Sequence, residues 1–313
     1  MNKTALFFPG QGSQSVGMMA GFISESGDNP IIKQIFTEAS DILKTDFWAM
    51  ATEPNEWLNL TQNTQPLMLI AGVATHRAYI EAGGLQANIH AGHSLGEYTA
   101  LVASNALSFA DALPLVKYRA ESMQNAVPEG VGAMAAILGL EDELVREACL
   151  EAAQGEICEA VNYNSVGQVV IAGNKAAVER AMEIAKARGA KRALALPVSV
   201  PSHCALMRPA AEKLAEYLKS VTINTPQVPV IHNADVVSYH HAEQIKDALV
   251  RQLYSPVRWV ETVQAIAAQG VISSAECGPG KVLASLTKRI VAELPCSALI
   301  SNEAIAEFIS NYN

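Results

Sequence analysis

The sequence predicts an α/β protein in which a small α+β domain is inserted into a larger domain. Segments with strand and helix patterns alternate along residues 1–127 and again along 201–313, which is typical of a mostly parallel sheet with helices on both faces. Between them, residues 128–200 follow the order β-α-β-β-α-β of a ferredoxin-like unit. Half of the 313 residues are hydrophobic, so the chain can bury a sizeable core and disorder is not expected.

The elements before the insertion are predicted from apolar periodicity and turn signals. An apolar run over residues 4–8 ends at Pro9-Gly10 and indicates a buried first strand. The apolar positions of residues 31–44 fall on one helical face. Pro66, in a first turn, indicates the start of a long apolar helix. The other expected elements are the continuation of that helix to about residue 82, a strand before residue 92, a helix to about residue 104 and a helix capped by Ser108 or Asp111.

The insertion and the residues after it show comparable patterns. The turn over residues 164–167 separates two strand-like runs and predicts a β-hairpin, while Pro201 marks the return to the large domain. The strands expected in the insertion cover residues 132–139, 157–163, 168–173 and 192–198, and its helices cover 141–153 and 175–188. The elements expected after it are strands over 228–233 and 271–276, helices over 205–220, 242–253 and 257–269, and a helix after the turn at 278–280.

Charge and cysteine content exclude several classes of protein. The net charge of −9 argues against general nucleic-acid binding. The longest apolar runs are too short to span a bilayer, so no membrane association is expected. The five cysteines are odd in number and widely spaced, with no C-x-x-C pair, which indicates reduced thiols and a cytoplasmic location.

The segment Gly92-His93-Ser94-Leu95-Gly96 has the G-x-S-x-G pattern of a nucleophile elbow. A partly apolar run precedes it and a helical pattern follows, as in the strand-turn-helix of an α/β-hydrolase-like sheet. The flanking glycines remove Cβ atoms where the turn is tight, and the N–H of Leu95 is free to face charge beside Ser94. A turn of small residues without chemistry is the alternative, and the pentapeptide by itself does not decide between the two.

Other short motifs do not meet their structural requirements. Gly10-Gln11-Gly12 follows a predicted strand, but Ser15 stands where a dinucleotide-binding motif needs its third glycine. Gly278-Pro279-Gly280-Lys281 lacks the upstream glycine of a phosphate-binding loop. His90 and His93 have no third ligand at a suitable spacing, so no zinc site and no other metal site is predicted.

A serine nucleophile requires a base, and His203 is the best placed of the seven histidines. It follows a predicted strand and stands just before a predicted helix, a common position for a catalytic side chain. A helix-capping or core histidine is the alternative, and this alternative is favoured if His203 is considered alone.

Seven stretches, taken together and in order, show a family resemblance. The stretches are Phe8-Pro9-Gly10-Gln11-Gly12-Ser13-Gln14, Asn63-Thr64-Gln65-Pro66, Gly92-His93-Ser94-Leu95-Gly96-Glu97-Tyr98, Tyr118-Arg119-Ala120, residues 162–165 with 168–173, Val200-Pro201-Ser202-His203, and Glu276-Cys277-Gly278-Pro279-Gly280-Lys281-Val282-Leu283. They resemble the malonyl-CoA:acyl carrier protein transacylases of bacterial type II fatty acid synthesis, within the acyltransferase family, over essentially the whole chain.

The resemblance implies a division of roles at the reacting centre. Ser94 is expected to become malonylated, and His203 is expected to take its proton and later return one to the leaving group. The backbone N–H groups of Gln11 and Leu95 are expected to form the oxyanion hole. The backbone carbonyl of Gln252 is the expected acceptor that orients the histidine, in place of an acid.

Substrate-binding roles are also implied by the resemblance. Arg119 is expected to bind the free carboxylate of the malonyl group, because a guanidinium offers two parallel donors. Read from the sequence alone, a surface arginine on a helix is the simpler interpretation of Arg119. Asn162 is expected to face the pocket, Gln65 is a weaker candidate, and Met123 is expected to form a pocket wall.

The activity that the resemblance implies is a ping-pong transfer of malonyl from malonyl-CoA to the phosphopantetheine thiol of acyl carrier protein. No bound cofactor is expected, and a monomer is expected. The alternatives are a stand-alone polyketide synthase acyltransferase, a serine thioesterase or hydrolase, and a non-catalytic scaffold that binds carrier protein. Because acyl carrier proteins of this family are acidic, docking requires a cationic patch. The two candidate patches are Lys186, Arg188, Lys191 and Arg192, and Lys281, Lys288 and Arg289.

Overall fold

The computed structural model describes residues 3–24, 27–198 and 200–312. The segment predicted to lead from the insertion to His203 includes Ser199, which lies outside the described residues. Within the described ranges, no helix combines the length and the apolar character that crossing a membrane requires.

The strands form two main sheets, one parallel and one antiparallel. The parallel sheet has five strands in the order β11-β10-β1-β4-β9, and the antiparallel sheet has four in the order β6-β7-β5-β8. The strands are β1 Lys3–Phe8, β2 Ile23–Ser24, β3 Gly27–Asp28, β4 Ile89–Gly92, β5 Gly132–Leu138, β6 Cys158–Ser165, β7 Gln168–Asn174, β8 Arg192–Ala195, β9 Val230–Ile231, β10 Val271–Glu276 and β11 Cys296–Ala298. A mixed α/β fold with a mostly parallel large sheet is therefore confirmed.

The helices follow most of the predicted ranges to within a few residues. Ser108, not Asp111, caps α5, because its hydroxyl accepts from the backbone N–H of Asp111. The helices are α1 Pro30–Leu43, α2 Phe47–Thr52, α3 Thr61–Glu81, α4 Gly96–Ala103, α5 Phe109–Gln124, α6 Asp142–Ala153, α7 Lys175–Ala187, α8 Arg208–Leu218, α9 Ala242–Gln252, α10 Trp259–Ala268, α11 Val282–Ile290 and α12 Asn302–Tyr312.

Several predicted bounds were wrong for local reasons. The strand expected over 192–198 ends at Ala195, because Pro197 has no N–H to donate to a ladder. The helix expected over 205–220 begins with a 3₁₀ turn, Ala205–Met207, before α8. The short β2, β3, β11 and α2 were not predicted, and neither was α12, which buries few side chains, among them Ile305 and Phe308.

The insertion has its own core. Its strands occur in the predicted order β-α-β-β-α-β, and apolar side chains of α6 and α7 pack against those of its sheet. Backbone hydrogen bonds from Tyr163 N–H to the Val257 carbonyl and from Val257 N–H to the Val161 carbonyl join β6 to the chain before α10. The small sheet is thereby held beside the carboxyl edge of the large one.

The carboxyl ends of β1, β4 and β9 lie side by side at that edge, since the register pairs Phe8 with Gly92 and Ala91 with Ile231. The loop after β1, the serine turn after β4 and the segment after β9 therefore converge. This convergence positions the candidate site.

Candidate active site

Ser94 lies at a tight turn between β4 and α4, as the G-x-S-x-G pattern predicts. Its backbone is left-handed, with φ of 51°, a conformation that costs a serine free energy unless its surroundings hold it. A Cβ on Gly92 would lie 1.9 Å from the carbonyl of Gly96, and a Cβ on Gly96 would lie 1.9 Å from the Phe8 oxygen. Both glycines are therefore required by close backbone approach.

Ser94 and His203 are 109 residues apart in sequence, yet Ser94 Oγ and His203 Nε2 are 2.8 Å apart. His203 Nδ1 lies 2.8 Å from the backbone oxygen of Gln252. Because a carbonyl only accepts, Nδ1 carries the proton and Nε2 is free to accept from the serine hydroxyl. The His203 backbone N–H also donates to the Leu253 oxygen at 3.0 Å. The arrangement matches a serine–imidazole–carbonyl relay.

The environment keeps the His203 imidazole neutral. The side chain is 2% exposed, and burial, together with the positive charge of Arg119, lowers the pKa of His203 to about 3, although the hydrogen bond to Gln252 acts in the opposite direction. A core histidine was the alternative to a base. The structure shows that His203 is buried and also hydrogen-bonded to a nucleophile candidate.

Arg119 on α5 is 1% exposed, so a surface arginine is excluded. Its Nη1 donates to Gln65 Oε1 at 2.6 Å, and its Nη2 donates to Gln252 Oε1 at 2.9 Å. The same Nη2 lies 3.4 Å from Ser94 Oγ. Burial lowers the pKa of Arg119. A cation thus faces the serine oxygen, with neutral amide oxygens as its hydrogen-bond acceptors.

One donor of Arg119 is unused. Its Nε is buried and has no hydrogen-bond partner within the described ranges. Since a buried donor without a partner is costly, such an atom in a native structure calls for an explanation. Nε and Nη2 form one side of the guanidinium fork, the side that binds a carboxylate through two parallel hydrogen bonds.

The backbone segments that contain Gln11 and Leu95 pack against each other. A Cβ on Gly10 would lie 2.4 Å from the His93 oxygen and 3.6 Å from the Leu95 nitrogen, so the loop after β1 packs directly on the serine turn. Gln11 follows Gly10 in that loop, and Leu95 precedes the first residue of α4. The structure brings these two backbone segments together beside Ser94.

Asn233, which follows β9, was missed by the sequence analysis. Its Oδ1 accepts from the Ser94 backbone N–H at 2.7 Å, and its Nδ2 donates to the Gly92 oxygen at 2.6 Å. These two bonds hold the left-handed serine in place. The available signal was a polar residue at the end of a parallel strand, near where ligands bind such sheets.

Glu97 in the first turn of α4 was also missed as a site residue, although it stands three positions after Ser94 in the matched motif. Its side chain is 0% exposed. The carboxylate is hydrogen-bonded to His232 Nδ1 at 2.7 Å, the Asn233 backbone N–H at 2.9 Å and Gln252 Nε2 at 3.0 Å. It therefore holds several of the groups that surround Ser94.

A cavity of about 290 Å³ opens onto Ser94 and His203 between the two sheets. The Asn162 Oδ1 atom beside it is buried and has no hydrogen-bond partner in the described part of the chain. The small sheet supplies an apolar wall from Met134, Ala136 and Val170. Arg119 does not line this cavity, but its Nη2 lies 3.4 Å from the Oγ of Ser94, which does. A separate groove of about 620 Å³ between α1 and α3 contains none of the predicted site residues.

His90 and His93 are engaged by single polar side chains. His90 Nδ1 lies 2.8 Å from Ser104 Oγ, and His93 Nε2 lies 2.8 Å from Asn164 Oδ1. Burial lowers the pKa of each. Among the described residues, no group of three or more His, Cys, Asp or Glu side chains is arranged to hold a metal ion.

Comparison with known proteins shows the family. A model of the acyl transferase domain matches residues 6–307. The chain belongs to the acyl transferase family. It is 55% identical to the malonyl CoA-acyl carrier protein transacylase of Escherichia coli K12 over 307 residues, which cover 98% of each chain. The family resemblance found in the motifs is confirmed.

Solved structures of acyl transferases extend the comparison. The acyl-carrier-protein S-malonyltransferase of Burkholderia pseudomallei is 53% identical, with a TM-score of 0.95 over 98% of this chain and 99% of that one. A malonyl-transacylase in complex with its type II PKS acyl-carrier protein is 52% identical, with a TM-score of 0.96 over 99% of each chain. These acyl transferases match the whole fold, including the inserted sheet.

Proposed function

We propose that this acyl transferase moves the malonyl group from malonyl-CoA to the phosphopantetheine thiol of acyl carrier protein through a malonyl-serine intermediate. The proposal rests on two contacts of a single atom, Ser94 Oγ. Ser94 Oγ lies 2.8 Å from the neutral imidazole of His203 and 3.4 Å from the buried guanidinium of Arg119. A nucleophile and a carboxylate-binding cation thus meet at one point.

In the first half-reaction, Ser94 attacks the thioester carbonyl carbon while its proton passes to His203 Nε2. The backbone N–H groups of Gln11 and Leu95 bind the oxygen that becomes negative. The C–S bond then breaks, and the CoA sulfur leaves with the proton from His203. The Gln252 carbonyl holds the imidazolium in orientation, although a neutral acceptor stabilises it less than a carboxylate does.

In the second half-reaction, the carrier-protein thiol gives its proton to His203 and attacks the ester carbonyl carbon. The serine oxygen leaves and regains that proton. Throughout both steps, the free carboxylate of the malonyl group is bound by Arg119 through Nε, which has no partner in the described ranges, and through the adjacent Nη2, which also contacts Gln252 and Ser94. Fixing the acyl group in this way favours transfer over attack by water.

Asn162 is proposed to bind the pantetheine arm that both substrates share. Its unpartnered Oδ1 lies beside the cavity, and an amide N–H of pantetheine would satisfy that acceptor. The apolar wall of the small sheet suits the methylene segments of the arm.

Intact-protein mass spectrometry after brief exposure to malonyl-CoA tests the proposal. We expect wild-type protein to gain the mass of one malonyl group and to lose it when carrier protein with its phosphopantetheine arm is added. The Ser94→Ala variant should gain no mass, and acetyl-CoA should label wild type far more slowly. Rapid release of free malonate without carrier protein would indicate a hydrolase instead, and no adduct together with no turnover would indicate a binding scaffold.

The structure favours one of the two cationic patches as the docking surface for the acidic carrier protein. In the first patch, Lys186 pairs with Glu183, and Arg188 pairs with Glu147 and Glu151. In the second patch, no carboxylate in the described ranges lies within 4.0 Å of the charged nitrogens of Lys281, Lys288 or Arg289. Arg289 also donates to Gln168, which lines the cavity. In the part of the chain that the structure describes, two members of the first patch are thus neutralised by ion pairs and none of the second, and the second patch contacts a residue of the cavity wall.

Charge reversal at this patch should weaken carrier-protein docking. We expect Lys281→Glu/Lys288→Glu to raise the KM for carrier protein about 10-fold, corresponding to about 1.4 kcal/mol, while acylation by malonyl-CoA stays unchanged. The matched control is Lys191→Glu/Arg192→Glu, which reverses two charges of the first patch and should leave the KM near wild type. Steady-state kinetics for each half-reaction measure the difference. An equal loss in both half-reactions would refute the docking assignment.

Finer features of the fold and setting remain proposals. The order β6-β7-β5-β8 with two helices supports a ferredoxin-like description of the small domain, and the serine turn after β4 supports an α/β-hydrolase-like description of the large one. The domain limits of 1–127 with 201–313 and of 128–200, the absence of a bound cofactor, the monomer and the cytoplasmic location stay predictions.

A further inference from the structure

Glu97 and Arg119 are two of the few charged side chains buried in this molecule. Among the described residues, the aspartate, glutamate, lysine and arginine side chains in the interior are Glu97 and Glu276, at 0% exposure, and Arg119, at 1%. A buried charge is costly unless an opposite charge or hydrogen bonds compensate for it. Glu97 and Arg119 have no direct hydrogen bond or ion pair within those ranges, but one residue contacts both of them.

The side-chain amide of Gln252 is that link. Its Oε1 accepts from Arg119 Nη2 at 2.9 Å, and its Nε2 donates to Glu97 Oε2 at 3.0 Å. The amide orientation follows from its partners, because a guanidinium only donates and a carboxylate only accepts. The amide dipole therefore points its oxygen at the cation and its N–H group at the anion.

The backbone of Gln252 contacts the proposed base, His203. The Gln252 carbonyl accepts from His203 Nδ1 at 2.8 Å. The side-chain Nε2 of Gln252 also donates to the Ser94 backbone oxygen at 3.0 Å. Fixing the Gln252 side chain therefore restricts two acceptors of the same residue. Its backbone oxygen orients the His203 imidazole, and its Oε1 orients the Arg119 guanidinium.

We infer that Glu97 is a positioning residue that acts through Gln252. In this way Glu97 sets the selectivity of acylation for an acyl group with a free carboxylate. This inference rests on the proposed malonyl transfer. Glu97 anchors Gln252, and Gln252 in turn holds Arg119 with its Nε and Nη2 facing the acyl group. Placing the anion one residue away compensates for the buried cation while no carboxylate contacts the guanidinium and Nε stays without a partner in the described ranges.

Arg119 makes its direct side-chain contacts with neutral groups, and this explains why the anion acts through Gln252 and not directly. A carboxylate in direct contact with Arg119 would form the fork pair itself and compete with the substrate. Gln65 and Gln252 instead present amide oxygens to Arg119, and these hold its position while leaving most of its charge uncompensated at short range. An incoming malonyl carboxylate therefore meets a cation that is already oriented.

The experiment is single-turnover acylation by malonyl-CoA and, separately, by acetyl-CoA, followed by intact-protein mass spectrometry. We expect Glu97→Gln, which removes the charge at nearly constant shape, to lower the malonyl-to-acetyl rate ratio about 10- to 100-fold, the effect of one charge-assisted hydrogen bond. Gln252→Met should lower the ratio similarly. The malonyl-to-acetyl rate ratio of the double variant should be close to the lower of the two single-variant ratios, because both changes interrupt one chain of contacts.

Glu276→Gln is the matched control, because Glu276 is equally buried but accepts a hydrogen bond from the Ala284 N–H at the start of α11. It should keep the wild-type rate ratio even if its melting temperature changes. An unchanged ratio in Glu97→Gln, or single effects that multiply in the double variant, would overturn the inference. Should Glu97→Gln not fold, Gln252→Met decides alone, and an unchanged ratio there overturns it. Failure of wild type to form any adduct would instead refute the proposed function.

Discussion

Replacing His203 with alanine should slow malonylation of Ser94 by about 10²- to 10⁴-fold, the range for loss of a general base. The serine hydroxyl, which lies 2.8 Å from Nε2, then has no group to take its proton. Quenched-flow acylation at saturating malonyl-CoA, read by intact mass, measures the rate. The same variant should still bind malonyl-CoA, since Arg119 and the other residues that line the cavity are unchanged.

The pH dependence offers a control for this assignment. With a pKa of about 3, His203 is neutral in free enzyme at every pH well above that value, and the base is lost only as the pH falls through it. Wild-type acylation should therefore show no loss attributable to His203 between pH 8 and pH 5. A fall centred near pH 6.5 would show that the imidazole is hydrated, which contradicts the buried geometry. An acylation rate in His203→Ala within a few-fold of wild type would refute its role as base.

Replacing Arg119 with alanine should abolish most of the preference for malonyl over acetyl groups. The carboxylate loses two charge-assisted hydrogen bonds, from Nε and Nη2, and we expect malonylation to slow by about 10²- to 10³-fold while acetylation changes little. Without the clamp, the acyl carbon is also less well held against water, so hydrolysis of the adduct should rise. Single-turnover rates with both acyl-CoA substrates, and release of free malonate, measure these changes.

Arg119→Lys is the informative companion variant. It keeps the positive charge but lacks the planar fork, so it should recover only part of the malonyl preference. Both variants must be compared at temperatures below their melting points, because Gln65 and Gln252 lose a buried donor. An unchanged malonyl-to-acetyl ratio in Arg119→Ala would place the carboxylate site elsewhere.

Much of the fold could be predicted because its elements have strong local signals. The apolar run of β1, the one-sided helix α1 and the hairpin of β6 and β7 each depend on residues close in sequence. Most of the elements that were missed, such as the two-residue β2 and the six-residue α2, are too short to show a period. They form because the surrounding chain packs against them.

The candidate site could be predicted only in part. Motifs identified Ser94, His203, Arg119 and the Gln252 backbone, and the structure places these four groups in contact. The side-chain role of Gln252 was not visible, because the contact with Arg119 joins residues 133 positions apart. No periodicity or spacing rule encodes a contact at that separation.

The need for Gly92 in the serine turn is set by local sequence, because a Cβ there would meet the Gly96 backbone four positions away. The need for Gly96 depends on strand pairing, because a Cβ there would meet the Phe8 oxygen of β1. The tertiary structure alone decided what surrounds that turn. It buried Arg119, brought Asn233 to the serine N–H and placed the Gln252 amide between a buried cation and a buried anion. These choices depend on how distant helices and strands pack, since only packing removes water and makes each remaining polar contact necessary.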